Sequence, residues 1–128
     1  MARQPRPATA RSQPDPAAAL PLTHVAYHVL LALAKGNLHG YAIIKNVAES
    51  TGGEVELEAG TLYAAIKRMK DEGWIEEARA PRGESRRRTY AITKLGKKVL
   101  LAEAKRLEAM VELARDADVL PAPGRAKA

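Results

Sequence analysis

The sequence predicts a mainly α-helical chain with one small β-hairpin and a long helix towards its C-terminal end. Three observations carry this. Short apolar-periodic stretches between residues 22 and 73 are punctuated by Gly36, Gly52-Gly53 and Gly73. After Gly73 the helical period gives way to alternation around the turn formers Pro81 and Gly83. After Thr93 an a/d heptad pattern runs to about Asp116.

Residues 1–21, "MARQPRPATARSQPDPAAALP", are rich in Pro, Ala and Arg and show no periodicity. They read as a disordered basic arm: a plain flexible terminus, or an arm that tracks phosphates or enters a minor groove. The first helix is "LTHVAYHVLLALAKG". Thr23 can cap it, and Leu22, Val25, Ala26, Val29, Leu30 and Leu33 form a wide apolar face. Lys35-Gly36-Asn37 ends it. The second helix starts near His39, which caps or hydrogen-bonds there, and continues through "GYAIIKNVAEST" with Tyr41, Ile44, Val47 and Ala48 as its stripe. Gly52-Gly53 ends it, and "EVELEA" is a connector.

The third helix lies in "AGTLYAAIKRMKDEGWIEE". Thr61 suits an N-cap or first-turn position, Leu62, Ala65, Ile66 and Met69 form the apolar stripe, and Gly73 stops the helix. At about 100° per residue, Tyr63 and Lys67 fall on a flank turned away from that stripe, and Thr61, Ala64 and Arg68 lie opposite it. Small residues permit close approach, cations suit phosphates, and Tyr or Arg reach base edges. This face fits a DNA-reading helix; read blandly, it is a solvated face with one half-buried tyrosine.

"WIEEARAPRGESRRRTYAI" then reads as a β-hairpin crowded by Arg79, Arg82, Arg86, Arg87 and Arg88. A hairpin directly after a reading helix is a wing, so the fold class is a winged helix-turn-helix with an added C-terminal helix. Thr93 caps that last helix. Its seam, Leu100, Ala104, Leu107, Val111 and Ala114, is widened by Leu95, Val99, Met110 and Leu113. The seam implies self-association, or packing on the chain's own first helix. The organisation expected is an arm at 1–21, a winged helix-turn-helix at 22–92, a dimerisation helix at 93–116 and a frayed tail at 117–128.

With 128 residues the chain is long enough for one domain with a modest core. Its formal net charge of +6 calls for an acidic partner, nucleic acid first. The longest apolar run, "VAYHVLLALA", is too short to span a bilayer and lacks a secretory cleavage context, so no membrane partner is expected and the cytoplasm is the expected location. The absence of cysteine removes disulfides and thiolate chemistry.

No cofactor and no metal are expected. His24 and His28 are four apart on one helix, but that helix has no cysteine or carboxylate to complete a ligand set. Asp71-Glu72 and Glu76-Glu77 are adjacent pairs whose members point in different directions. With no nucleophile constellation, an enzyme is not expected. Gly52-Gly53 has no phosphate-loop context. Trp74, the lone tryptophan, packs in the core, or else forms a wall of an effector pocket.

The stretches "LHGYAIIKNV", "GTLYAAIKRMKDEGWIEE" and "RRRTYAITKLGKKVL" together resemble the PadR family of bacterial winged-helix transcriptional regulators. The resemblance covers residues 22–114 and implies a homodimer, most often a repressor, on a near-palindromic operator in double-stranded DNA. By this match Tyr63 and Lys67 face the major groove, with Thr61, Ala64 and Arg68 beside them. Arg82, Arg86 and Arg87 of the wing reach the backbone or flanking minor groove. The C-terminal helix would meet the partner's N-terminal helix, making Val29, Leu100, Ala104, Leu107, Val111 and Ala114 interface. Its single short C-terminal helix is similar to the smaller branch of the family. Some members bind small effectors, and Trp74 is the candidate pocket residue. The proline-rich arm departs from the family pattern. A second class stays open: a winged-helix dimer used as a protein-interaction or small-molecule-binding module.

Overall fold

The computed structural model describes residues 15–79 and 88–124. In these, four helices and a three-stranded antiparallel sheet form a winged helix: α1 (His24–Ala34), β1 (Leu38–His39), α2 (Gly40–Ser50), α3 (Ala59–Asp71), β2 (Ile75–Ala78), β3 (Thr89–Ile92) and α4 (Lys94–Asp116). The sheet order is β1-β3-β2.

Local chemistry sets the helix ends. The Thr23 hydroxyl accepts from the Ala26 amide at 3.0 Å and starts α1. The Thr93 hydroxyl does the same for Gly96 at 3.0 Å and starts α4. α3 ends in a Schellman motif. Gly73 adopts φ 84°, its amide donates to the Lys70 carbonyl at 3.0 Å, and the Trp74 amide donates to Met69 at 2.9 Å. The chain thereby turns back into β2.

α1 is the central helix, touching α2, α3, α4 and β3. Val29, Leu30 and Leu33 pack there with Ile43, Val47, Leu62, Ile66, Met69, Ile75, Tyr90 and Leu100. Each such aliphatic burial contributes roughly 1.5–3 kcal/mol. This core fixes which faces of α2 and α3 are left outside.

Several expectations are corrected. The expectation of a structureless arm over residues 1–21 fails at its C-terminal end. Residues 1–14 lie outside the described residues, but Pro16–Ala19 form a 3-10 turn that packs on α4. The Asp15 carboxylate caps the turn at the Ala17 amide, 3.0 Å away, and Pro16 suits its first position. On α2 the buried line is Ile43 and Val47, whereas Tyr41 is 66% exposed. Of the two positions open to Thr61, the structure gives the first turn, since α3 begins at Ala59 after an N-cap at Glu58. Two residues that the sequence does not mark as a strand, Leu38 and His39, pair with Tyr90 and Thr89.

Val29 is also corrected as an interface residue. It is 0% exposed in the chain's own core and has no surface to give a partner. Leu100 is buried in the same core. The N-terminal half of α4 therefore packs on its own domain, through Val99, Leu100 and Glu103. The C-terminal half does not: Met110, Val111 and Leu113 stand exposed.

Candidate nucleic-acid interface

The outward face of α3 is set by its core stripe. Leu62, Ile66 and Met69 are buried, which turns Thr61, Tyr63, Ala64, Lys67 and Arg68 to the exterior. Thr61, Ala64, Lys67 and Arg68 are exposed and Tyr63 is half-exposed. The structure thus gathers all five sequence-expected residues of this helix on one surface.

Tyr63 has a second role that periodicity does not show. Its phenol lies over Gly40, the first residue of α2, so a side chain there would overlap the ring and hydroxyl. Gly40 lets the two helices of the helix-turn-helix close up, with Tyr63 wedged between them. Tyr90 is near as well. Burial, then the neighbouring Tyr63 phenol, raises the Tyr90 phenol above its ordinary value. The separated "HG" and "GTLY" stretches are therefore one contact in space.

The connector from α2 to α3 is held at both ends. The Thr51 hydroxyl donates to the Val47 carbonyl at 2.8 Å and accepts from the Val55 amide at 3.0 Å. Leu57 is buried in the core.

The cations differ in freedom. Lys67 sits 3.3 Å from Asp71, with side chains 79% and 69% exposed. Such a pair contributes little and exchanges readily for a phosphate contact. Arg68 has no acidic partner among the described residues. On the sheet, Glu77 accepts from Lys70 at 2.9 Å and lies 3.5 Å from Arg88. The Lys70 hydrogen bond, aided by the charge of both cations, holds the Glu77 carboxyl below its usual range despite some desolvation. Arg79 and Arg88 are exposed at the ends of β2 and β3. Arg82, Arg86 and Arg87, the sequence-expected wing contacts, lie outside the described residues. α2 adds exposed Tyr41 and Lys45 to the outer surface, although periodicity puts Tyr41 on the buried stripe and gives no signal for Lys45.

The wing is aligned with α3 through one junction. The Thr93 hydroxyl donates to the Gly73 carbonyl at 2.6 Å, and the Thr93 amide donates to Trp74 at 2.9 Å. α4 then passes so close that a side chain on Gly96 would collide with the Trp74 carbonyl. The spacing in "YAITKLG" is thus set by the turn that ends α3.

Trp74 is half-buried and lines a partly open cavity of about 70 Å³ beneath the 3-10 turn. Among the seam residues, Ala104, Leu107 and Ala114 are half-buried and Val111 is exposed. They continue into the exposed end of α4. His24 and His28 meet edge to face at 4.6 Å between ring centroids. Burial, then the His24 charge, lowers the His28 value. Among the described residues no three His, Cys, Asp or Glu side chains come together as a metal site, and no helix is long and apolar enough to cross a membrane.

The family model described as "Transcriptional regulator PadR-like family" matches residues 29–102, more than half of the chain. Among solved structures, a transcriptional regulator from Clostridium thermocellum is similar at 29% identity and a TM-score of 0.62, covering 73% of this chain and 91% of that one. A PadR family transcription regulator from Clostridium difficile R20291 is similar at 26% identity and 0.64, covering 73% and 97%. Bacillus subtilis PadR, solved in complex with operator DNA, is similar at 30% identity and 0.54 over 62% of this chain. The match spans 46% of that longer protein. No curated protein matches the sequence.

Proposed function

Since the chain belongs to the PadR-like family of transcriptional regulators, we propose that it binds double-stranded DNA, as a homodimeric repressor on a near-palindromic operator released by a small-molecule effector. Residues 22–92 form the DNA-binding unit and 93–116 the dimerisation helix. The chain acts in the cytoplasm and performs no catalysis of its own.

The observation that carries the reading is the outward face of α3. Thr61, Tyr63, Ala64, Lys67 and Arg68 project together, the small residues allowing approach and the others supplying hydrogen bonds and charge. α3 would lie in the major groove, with Tyr63 and Lys67 nearest the bases. Arg82, Arg86 and Arg87 of the wing would position the protein on the backbone more than read sequence. The net charge of +6 per chain supports an electrostatic contribution, doubled in a dimer. The operator complex of the Bacillus subtilis protein makes DNA the first partner to test.

Dimerisation is supported by the C-terminal half of α4. Leu107, Met110, Val111 and Leu113, with Ala104 and Ala114 between turns, offer an apolar strip that the chain's own core does not cover.

The test is a fluorescence-anisotropy titration of the full chain against the DNA upstream of its own gene, at two salt concentrations, with random duplex as competitor. Tight, competitor-resistant binding is expected. Weak binding that ignores sequence and vanishes with salt would overturn the reading.

A further inference from the structure

The cavity at Trp74 has a composition that the DNA-binding reading does not use. Its floor is α3 and the turn after it: Ala65, Arg68, Met69 and Trp74. Its roof is the segment before α1, including Pro21 and Leu22. The roof is anchored from below. Glu103, 3% exposed, accepts a hydrogen bond from the Leu22 backbone and a two-pronged one from Arg106, at 2.7 and 2.9 Å. The walls are mostly apolar; the polar side chains among them are Thr23, which caps α1, and Arg68, a cation with no acidic partner among the described residues. A cation at the rim of an apolar cleft matches a ligand with one anionic group on a small apolar body.

Size narrows the class. A dry cavity of about 150 Å³ takes a benzene ring. About 70 Å³ holds roughly half of that, an isopropyl-sized tail. We infer that this cavity is a binding site for short branched-chain aliphatic carboxylates, with the tail against Met69 and Trp74 and the carboxylate on Arg68.

The site lies on the rear edge of the helix whose outer face holds Lys67 and Tyr63. Arg68 cannot serve a ligand carboxylate and a DNA phosphate at once. Binding therefore withdraws one cation from the outward face and weakens DNA binding, most at low salt, where each phosphate contact contributes most. This release step rests on the proposed function; occupancy of the cavity does not.

The experiment uses the full chain and its lone tryptophan as the reporter. Emission from Trp74 is followed while isobutyrate is added at constant ionic strength, with isobutyramide as the neutral shape-matched control. A saturable change with isobutyrate and none with the amide is expected. Arg68→Gln is expected to weaken the response at least about tenfold, the loss of one charge-assisted contact. Ala65→Val, which narrows the cleft, is expected to weaken it as well. Unfolding midpoints of both variants check that they fold, and Arg68, being exposed, tolerates its change. A response linear in concentration, equal with the amide, or untouched by Arg68→Gln overturns the site. The anisotropy assay then reads release separately. Isobutyrate is expected to lower affinity for a duplex the protein binds by at least about threefold, with no effect in Arg68→Gln. A saturable emission change with unaltered DNA affinity overturns the release step. Failure to bind any duplex sinks the proposed function and leaves the emission result standing.

Discussion

Two glycines show how differently one missing side chain can act. At Gly40 the obstacle to a methyl group is the end of a half-exposed tyrosine, which can swing away. At Gly96 it is the Trp74 carbonyl, fixed between α3 and α4. Gly96→Ala should therefore cost about 3 kcal/mol of stability, at the upper end for overpacking. Gly40→Ala should cost about 1 kcal/mol but displace Tyr63. Its loss of operator affinity should approach that of Tyr63→Ala, about 1–3 kcal/mol. In the Tyr63→Ala background the Gly40→Ala change should become nearly silent. A double-mutant cycle read by urea unfolding and by anisotropy checks this, and additivity of the two changes would sink the wedge argument. Arg87→Ala in the wing, by contrast, should weaken all duplexes similarly and lower the salt slope by about one.

Among the elements, the helix ends were legible because capping is local. Thr23, Gly73 and Thr93 announce their roles by residue type, and the caps and turns form as expected. What lay beyond reach depends on neighbours distant in sequence. On α2 the expected stripe of Tyr41, Ile44, Val47 and Ala48 holds at Val47, but Ile43 enters the core where Tyr41 does not; only packing on α1 and α3 decides this. β1 is two residues long and exists because β3 offers it an edge. The heptad pattern of α4 is continuous, yet its first half serves the chain's own core. Periodicity states that a face is apolar and says nothing of whose surface covers it. For the exposed residues of α3 the same logic runs in reverse, since burial of Leu62, Ile66 and Met69 alone fixes the outer face of the helix. The roof segment makes a pH prediction. Arg106 holds the Glu103 carboxyl below its ordinary value of 4.5, outweighing desolvation, with the Leu22 backbone adding to the effect. The unfolded chain binds more protons there, so stability should fall as pH drops below 4.5 and through the folded value. Glu103→Gln should flatten that acid limb of the unfolding midpoint. His28, lowered by burial and then by His24, takes up its proton more readily unfolded, so it adds a milder loss as pH falls below 6.5.

For the whole molecule, the decisive asymmetry is along α4. At 23 residues it is about 34 Å long, and its apolar strip outlasts the domain beneath it. Leu107→Asp with Leu113→Glu should yield a folded monomer by sedimentation equilibrium, with operator affinity reduced far more than binding to a single half-site. A double variant that remains dimeric would show that another surface joins the subunits.

The wedge formed by Tyr63 also bears on redesign. On the proposed function, a side chain that would read an operator while setting the spacing of two helices cannot be exchanged for its reading alone. Any replacement chosen for a new base would alter the angle at which every other contact arrives. Ala64 and Lys67 carry no such duty. A variant of this protein with a new target sequence should be sought at those two positions, with the tyrosine left as the fixed pivot of the reading head.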